Sequence, residues 1–597
     1  MASTARNNKP VVFIGAAGQM CRVAVERFAV GCDAPLVLSD INATVLESLA
    51  AKLPEGRATV AKIDLFDRPS LVKAIQGAAL VVLGAGPYTR TSEPVLTACL
   101  EAKVPYLDFD DDVESTQAAL GLFEKAKQAG VPCYIGCGAS PGMSNVMAVD
   151  VSRDLDTVDA LDLCWLVGDE RPEVGKAVLE HLLHIASGPC LTWANGKATV
   201  NESWVETAYA PMLGQSGETL LHETAHPEPV TLPRLFPNAT RIRCIGGLGP
   251  QPMNGIARGL GNAVRRQALS IEDAVGFLHE IVTNPPTTAG WGQAFTAVTQ
   301  QFRGGDITVK ELFALAGHAT QALDPWRYAV MGMMEQIWSG ECTTGEVLGF
   351  LISTARGQTY ENHSGLLVRA VGTKNGHPAV AIKRTPKSGK DTVLTKNMGT
   401  MTGTACAAFA VMALESAGQR SGVFCPEDWA EPAAFYKALE KVGAPRDEII
   451  ESLQLSVIDA RAPRRLGDDY VPKEAPIGLL QGKPLPLGLE PMLIRPSGGW
   501  LGGASANPQC CSGAPNQPSQ PSGIHQQDRS GGAAEPLSAA VPGPRSGAGA
   551  TETPEAEAPC RARASELSAM ARGRGMNVNF SPQSRLIPGD EKHRTSH

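Results

Sequence analysis

The segment that most constrains this chain is Val11-Val-Phe-Ile-Gly15-Ala-Ala-Gly18-Gln-Met-Cys21, with Leu36-Val-Leu-Ser-Asp40 after it. A short β-branched apolar run stops at Gly15. A glycine turn opens a helical pattern, and a second apolar run ends on an acid. This succession is the first half of a βαβ unit of the kind that holds a dinucleotide. Gly15 permits the tight turn, and Gly18 lets backbone N–H groups approach a pyrophosphate at a helix N-terminus. Ala17, Gln19 and Met20 complete the expected phosphate turn, and the Asp40 carboxylate can accept hydrogen bonds from an adenosine ribose. Read as G-x-G-x-x-G, the pattern has Ala17 and Met20 in place of two glycines. Read as G-x-x-G-x-x-G, it has Cys21 third, and Ala and Cys are small enough for close approach. Asp40 is followed by Ile41 and Asn42, with no adjacent arginine for a 2′-phosphate, so the residues lean toward NAD over NADP.

The same alternation continues to about residue 150. Strand signals fall near 10–15, 35–39, 58–63, 79–84, 104–108 and 132–136, and helical stretches near 18–30, 43–53, 69–76, 91–102 and 112–129. Alternation this tight implies a doubly wound parallel sheet covered on both faces. Ligands bind such sheets at the strands' carboxyl ends. Gly84, Ala85 and Gly86 are therefore expected on the nicotinamide side, and Asp64 near the adenine.

Residues 151–397 read as an α+β domain. Strand-like runs occur at 161–167, 241–246 and 365–382, the last broken by a hairpin signal at Asn375-Gly376. Capping patterns at Ser270-x-x-Asp273, Thr308-x-x-Glu311 and Thr343-x-x-Glu346 start helices. Such a domain is expected to close over the nicotinamide and carry substrate specificity. Residues 398–456 are expected to return to the first domain as helix, with the small-residue run from Thr402 packing on the sheet.

Composition sets the remaining bounds. A chain of 597 residues exceeds one domain's usual size. A formal net charge of −8 argues against nucleic acid or an anionic membrane as the main partner. The 14 cysteines form no CxxC pair and no secretory h-region precedes them, which favours a reducing, cytoplasmic setting. The longest apolar tract, 405–414, is too short to span a bilayer. Residues 460–597 are rich in Gly, Pro, Ser and Ala and are expected to be a disordered tail. Arg561, Arg563, Arg572 and Arg574 there suit a solvated stretch better than an interaction patch.

Three segments together resemble the saccharopine dehydrogenase-like oxidoreductases. They are the nucleotide fingerprint; Leu80-Val-Val-Leu-Gly-Ala-Gly-Pro87-Tyr88-Thr89 with Tyr106-Leu-Asp108-Phe-Asp110; and Gly136-Cys-Gly-Ala-Ser-Pro-Gly-Met-Ser-Asn145. His226-Pro-Glu-Pro-Val-Thr-Leu-Pro-Arg234 and Gly422-Val-Phe-Cys-Pro-Glu427 also resemble family landmarks. The resemblance implies a Rossmann domain, an inserted α+β domain used for substrate and for homodimer formation, and hydride transfer with NAD or NADP. It implies a small amino-acid-derived substrate reacting at a C–N bond. By this likeness Tyr88 flanks the nicotinamide as proton donor or orienting group, and Asp108 and Asp110 are candidate bases or amine-binding carboxylates. The bland alternative is that Tyr88 packs and the Asp108–Asp112 acids start a helix, where negative charge is favourable. Substrate carboxylates would need a fork donor, for which Arg234, Arg241, Arg243 and Arg258 are candidates.

Other readings come from other classes. One is reduction of an enoyl or imine intermediate in a biosynthetic pathway. Another is a nucleotide-binding regulator without turnover. His222-Glu223-Thr-Ala-His226 matches the H-E-x-x-H pattern of zinc hydrolases, which needs a helix to bring both histidines to one metal. Pro227 directly after the second histidine disfavours that geometry. No metal site is expected.

Overall fold

The six runs near the amino end become short parallel strands, the central ones buried on both faces and the edge strand Ala58–Ala61 half exposed. They are β1 (Val11–Ile14), β2 (Leu36–Ser39), β3 (Ala58–Ala61), β4 (Leu80–Leu83), β5 (Tyr106–Asp108) and β6 (Pro132–Tyr134). Every residue of β1 and β4 is at most 2% exposed. The computed structural model describes residues 9–457 apart from 172–173, 214–217, 285–299, 301–323, 417 and 419. The capping pattern at Thr308 and the tail from residue 460 lie outside the described residues.

The strands β7 (Thr157–Val167), β8 (Pro189–Ala194), β9 (Lys197–Glu202), β10 (Thr207–Ala210), β11 (Thr219–Glu223) and β12 (Arg241–Leu248) follow. After them come β13 (Gly365–Lys374), β14 (His377–Arg384), β15 (Gly422–Phe424) and β16 (Glu451–Val457). The first sheet has the order β15-β6-β5-β4-β1-β2-β3. All its pairs are parallel, and the reversal of strand order lies between β1 and β4. That is the topological switch point where open α/β sheets bind nucleotides.

The second sheet is mixed, in the order β10-β11-β12-β7-β13-β14-β16, with β8 pairing β12 and β9. Its β7–β12 pair is parallel, and the neighbours are antiparallel. The β13–β14 hairpin turns at Asn375 and Gly376, whose φ values of +52° and +75° suit a type I′ turn. Ser270 and Thr343 cap their helices as the spacing predicts, each side chain accepting from the backbone N–H three residues on.

The segment after residue 397 departs from a purely helical return. The helix Met398–Glu415 packs on the helix Gln19–Gly31, so closely that a Cβ on Gly403 would lie 2.5 Å from the Met20 carbonyl oxygen. Phe409 stacks on Phe435 of a second helix at 4.3 Å between centroids. Small residues thus serve helix–helix contact at least as much as contact with the sheet. By length and composition this is the one described helix apolar enough to cross a membrane, and it is 72% buried inside the fold. Beyond it, β15 extends the first sheet beside β6, while β16 pairs with β14 in the second. Residues 422–457 therefore tie both sheets together.

Candidate functional site

The loop after β1 is shaped by how close it comes to the loop after β4. Gly15 has φ +83°, and a Cβ there would sit 2.6 Å from the Ala85 nitrogen, so only glycine fits. Gly18 stands at the N-cap of the helix Gln19–Gly31 with no side chain capping it. The first-turn N–H groups of that helix have no intrahelical partner, which leaves a site suited to a diphosphate. Cys21, in the third glycine position, is accommodated by Gly84: a Cβ on Gly84 would lie 2.7 Å from the cysteine's Cβ and Sγ. The missing glycine on one loop is supplied by the other.

Asp40 lies at the end of β2. One carboxylate oxygen accepts from the Ala17 N–H at 3.0 Å and the other from the Asn42 N–H at 3.1 Å. The acid therefore braces the phosphate turn from the side on which a ribose would sit. Asp64 is exposed after β3 and accepts from the Phe66 N–H at 2.9 Å. Ile41 and Phe66 are 96% and 71% exposed at these two strand ends, apolar faces at the position of an adenine. A glycine cradle, an uncapped helix start, a strand-end acid and two exposed apolar side chains fit a nicotinamide adenine dinucleotide.

On the other side of the turn, Met20 reaches a cavity of about 150 Å³ between the two sheets. Its wall is mostly apolar and includes Trp165, Val178, Leu182, Ile185 and Met398. Asp111, Ser140, His181 and His226 supply polar groups. His181 comes from the helix Lys176–Ser187. Its Nε2 lies 3.2 Å from the Asp111 carboxylate and its Nδ1 3.2 Å from that of Asp112. Burial alone would depress this imidazole, but Asp111 and Asp112 outweigh it and push His181 up to about 9. His184 lies one turn on, 3.3 Å from Glu114, and its imidazole is also raised, first by that hydrogen bond. His226 stands edge-on to His181 at 5.9 Å and 3.5 Å from Glu228, which accepts from Ser144 at 2.9 Å and from Ser140.

Tyr88 and Asp110 are placed otherwise. Tyr88 begins the helix Tyr88–Ala102 and is 8% exposed, edge-on to Phe109 at 5.9 Å. Burial, then Asp111, Asp108 and Asp110, push its phenol well above the usual range. Asp110 is buried, accepting from Ser92 Oγ at 2.7 Å and from the Asp112 N–H at 2.9 Å. Burial and the neighbouring Asp108 raise its carboxyl strongly. Asp108 accepts from Tyr106 Oη and the Gly136 N–H, both at 2.7 Å, fixing the Gly136–Asn145 segment. Neither Tyr88 nor Asp110 lines the cavity. Gly84, Ala85 and Gly86 form the β4 loop beside Gly15, where the Ala85 carbonyl accepts from Thr91 Oγ1 at 2.6 Å. Gln19 flanks Gly399 at the start of the Met398 helix.

The four candidate fork donors all have internal partners. Arg243 and Arg241 lie 2.7 and 3.5 Å from Asp162. Arg258 lies 2.8 Å from Glu341, and Arg234 is 3.2 Å from both Glu427 and Asp428. The H-E-x-x-H residues are split by secondary structure: His222 and Glu223 end β11, and His226 follows in a loop. His222 bonds Glu341 at 3.1 Å, remote in partner from the His226–Glu228 pair. This departs from the helix a zinc hydrolase needs.

His181, Asp111 and Asp112 were not singled out from sequence. The available signal was the pair His181 and His184, three apart on one helix face, set against a run of acids some seventy residues earlier.

The parallel sheet, its switch point and the glycine cradle define a Rossmann-type dinucleotide-binding domain, here joined to a mixed-sheet domain. Residues 11–133 match the family described as the saccharopine dehydrogenase NADP binding domain, and the amino-terminal domain is of that kind. The description names NADP, against the lean to NAD drawn from the residues after Asp40. The chain is 29% identical over 162 residues to a carboxyaminopropylagmatine dehydrogenase of Synechocystis, covering 26% of this chain and 40% of that protein. It is 31% identical over 117 residues to a carboxynorspermidine synthase of Vibrio cholerae, covering 17% and 28%. The match thus spans less than half the length of either relative. Among solved structures, apo saccharopine dehydrogenase (L-Glu forming) of Saccharomyces cerevisiae aligns at a TM-score of 0.47 and 13% identity, over 76% of this chain and all of that one.

Proposed function

We propose that this protein is an NADP-dependent oxidoreductase that interconverts an amine and an imine, with His181 handling the proton. The observation that carries the reading is the placement of His181, gripped by two carboxyls, in a cavity that begins at Met20 of the phosphate turn. The relatives' names, a dehydrogenase and a synthase of carboxylated polyamine-like compounds, support chemistry on amines.

The chain's own residues divide the work. The Gly15–Met20 turn would hold the diphosphate, and Asp40 the adenosine ribose. Ser39 of β2 pairs with Ala61 of β3, so Lys62 steps off the sheet beside Asp40. That lysine is the cation best placed to meet a 2′-phosphate. Bound there, the nicotinamide supplies the acceptor or donor of one hydride at the substrate carbon. In amine oxidation a C–H and an N–H bond break and C=N forms, the N–H proton passing to His181. In imine reduction His181 returns that proton to nitrogen. Because its carboxylate neighbours keep His181 charged at neutral pH, it is poised there as the donor. The apolar walls, Trp165 and Leu182 among them, exclude water from the reacting centre.

Cofactor titration followed by nicotinamide absorbance with an amine panel tests the reading. Saturable NADPH binding and His181-dependent turnover are expected. NADPH affinity should exceed NADH affinity in the parent chain, and Lys62→Ala should erase that difference. Failure of the chain to bind either cofactor would overturn the assignment.

A further inference from the structure

His226 lines the cavity and belongs to a cluster that the proton path leaves unused. Its other members are Glu228 and Cys244, and all three are buried, the last two completely. Local chain geometry brings them together. Cys244 stands midway along β12, and its carbonyl accepts from the Thr224 N–H at 3.0 Å where the chain leaves β11. The departing loop is thereby pinned at Cys244, and Pro227 leads into the short helix that opens with Glu228. A ligand atom from each of the three residues lies within 4.8 Å of the other two.

Two polar atoms of the cluster lack the partners that burial demands. His226 Nδ1 and Glu228 Oε2 are buried and have no hydrogen-bond partner among the described residues. They stand 3.5 Å apart, beyond the charge-assisted bond of about 2.7–2.9 Å that an imidazolium and a carboxylate make. Two ligands of one tetrahedral zinc ion, each about 2.1 Å from the metal, stand about 3.4 Å apart. The other oxygen of Glu228 is already taken by Ser144 Oγ at 2.9 Å and by Ser140 Oγ. Such outer bonds are what orients a metal-ligating carboxylate. A carboxylate and a thiolate together cancel the charge of a dication, so the ion can be buried while Asp111 and Asp112 remain the charges beside His181.

We infer that His226, Glu228 and Cys244 hold a zinc ion, with a fourth position for water or for a donor atom of a molecule in the cavity. Imidazole nitrogen, carboxylate oxygen and thiolate sulfur are donors that zinc takes, and three protein ligands leave one position open. Sequence gave no expectation of a metal because Cys244 joins the other two from a separate strand, at no zinc spacing. Only the second histidine of H-E-x-x-H takes part, since His222 is held by Glu341. The site does not depend on the cofactor assignment.

The test uses the full chain, reduced and stripped with a chelator, then titrated with Co²⁺ and with Zn²⁺. A thiolate ligand gives bound Co²⁺ an intense near-ultraviolet charge-transfer band. One equivalent of Co²⁺ should raise that band, and one of Zn²⁺ should abolish it. Cys244→Ser should lose the band and bind Zn²⁺ at least about a hundredfold more weakly; Ser144→Ala, which removes only a bond to Glu228, should bind it about tenfold more weakly. Cys164→Ser, on the neighbouring strand, should keep the band. His226→Gln should weaken Zn²⁺ binding as Cys244→Ser does, which decides the matter where the cysteine variant fails to fold. A folded parent chain that shows no such band would overturn the inference. So would Zn²⁺ bound equally by the parent and these variants, the mark of an adventitious ion only.

Discussion

At the residue scale, Gly15 and His181 carry the account. Gly15→Ala forces a side chain into the left-handed region and against the Ala85 nitrogen. It should cost about 1–3 kcal/mol of stability and abolish cofactor binding, read by thermal unfolding and titration. Asp40→Ala removes both the brace on Ala17 and the ribose acceptor. It should weaken cofactor binding by about 1.5–3 kcal/mol for each charge-assisted hydrogen bond lost. His181 gives two pH signatures. Its imidazole is raised from 6.5 to about 9 in the folded chain, so its stabilising contribution is fully present below pH 6.5 and lost as pH rises through 9. The difference in unfolding free energy between the parent and His181→Ala should shrink across that window. Amine oxidation, which needs the neutral imidazole, should accelerate through about pH 9, and a flat profile would remove His181 from the proton path.

At the scale of elements, the phosphate turn depends on a helix nearly four hundred residues away. The Met398–Glu415 helix touches Met20 through Gly403. Gly403→Val should therefore overpack the contact by about 1–3 kcal/mol and weaken NADPH binding together with Tm. Local signals made much of this scale legible in sequence. The β1 run, the glycine turn, the Asn375-Gly376 hairpin and the Ser270 and Thr343 caps each express short-range backbone chemistry, and each stands where its residues place it. The fate of the last segment was not legible. A three-residue strand such as β15 and an edge strand such as β16 take their identity from the sheets they join.

At the scale of the whole molecule, the site exists because two sheets meet. The residues proposed for the nucleotide lie within one βαβ unit, where turn chemistry is local and legible in sequence. The cavity proposed for the substrate is assembled from distant segments, which sequence spacing does not reveal. His181 reaches Asp111 and Asp112 only through the packing of the mixed-sheet domain, while Tyr88 and Asp110 are buried outside that cavity. The four arginines suggested as carboxylate clamps are consumed by Asp162, Glu341 and Glu427, partners that no sequence spacing reveals. The most direct measurement is titration of the full chain with NADPH, followed by nicotinamide fluorescence, in the parent, Gly15→Ala and His181→Ala forms. One saturable site is expected, lost in Gly15→Ala and retained in His181→Ala, whose turnover alone fails. Indistinguishable binding by the parent and Gly15→Ala would contradict the account.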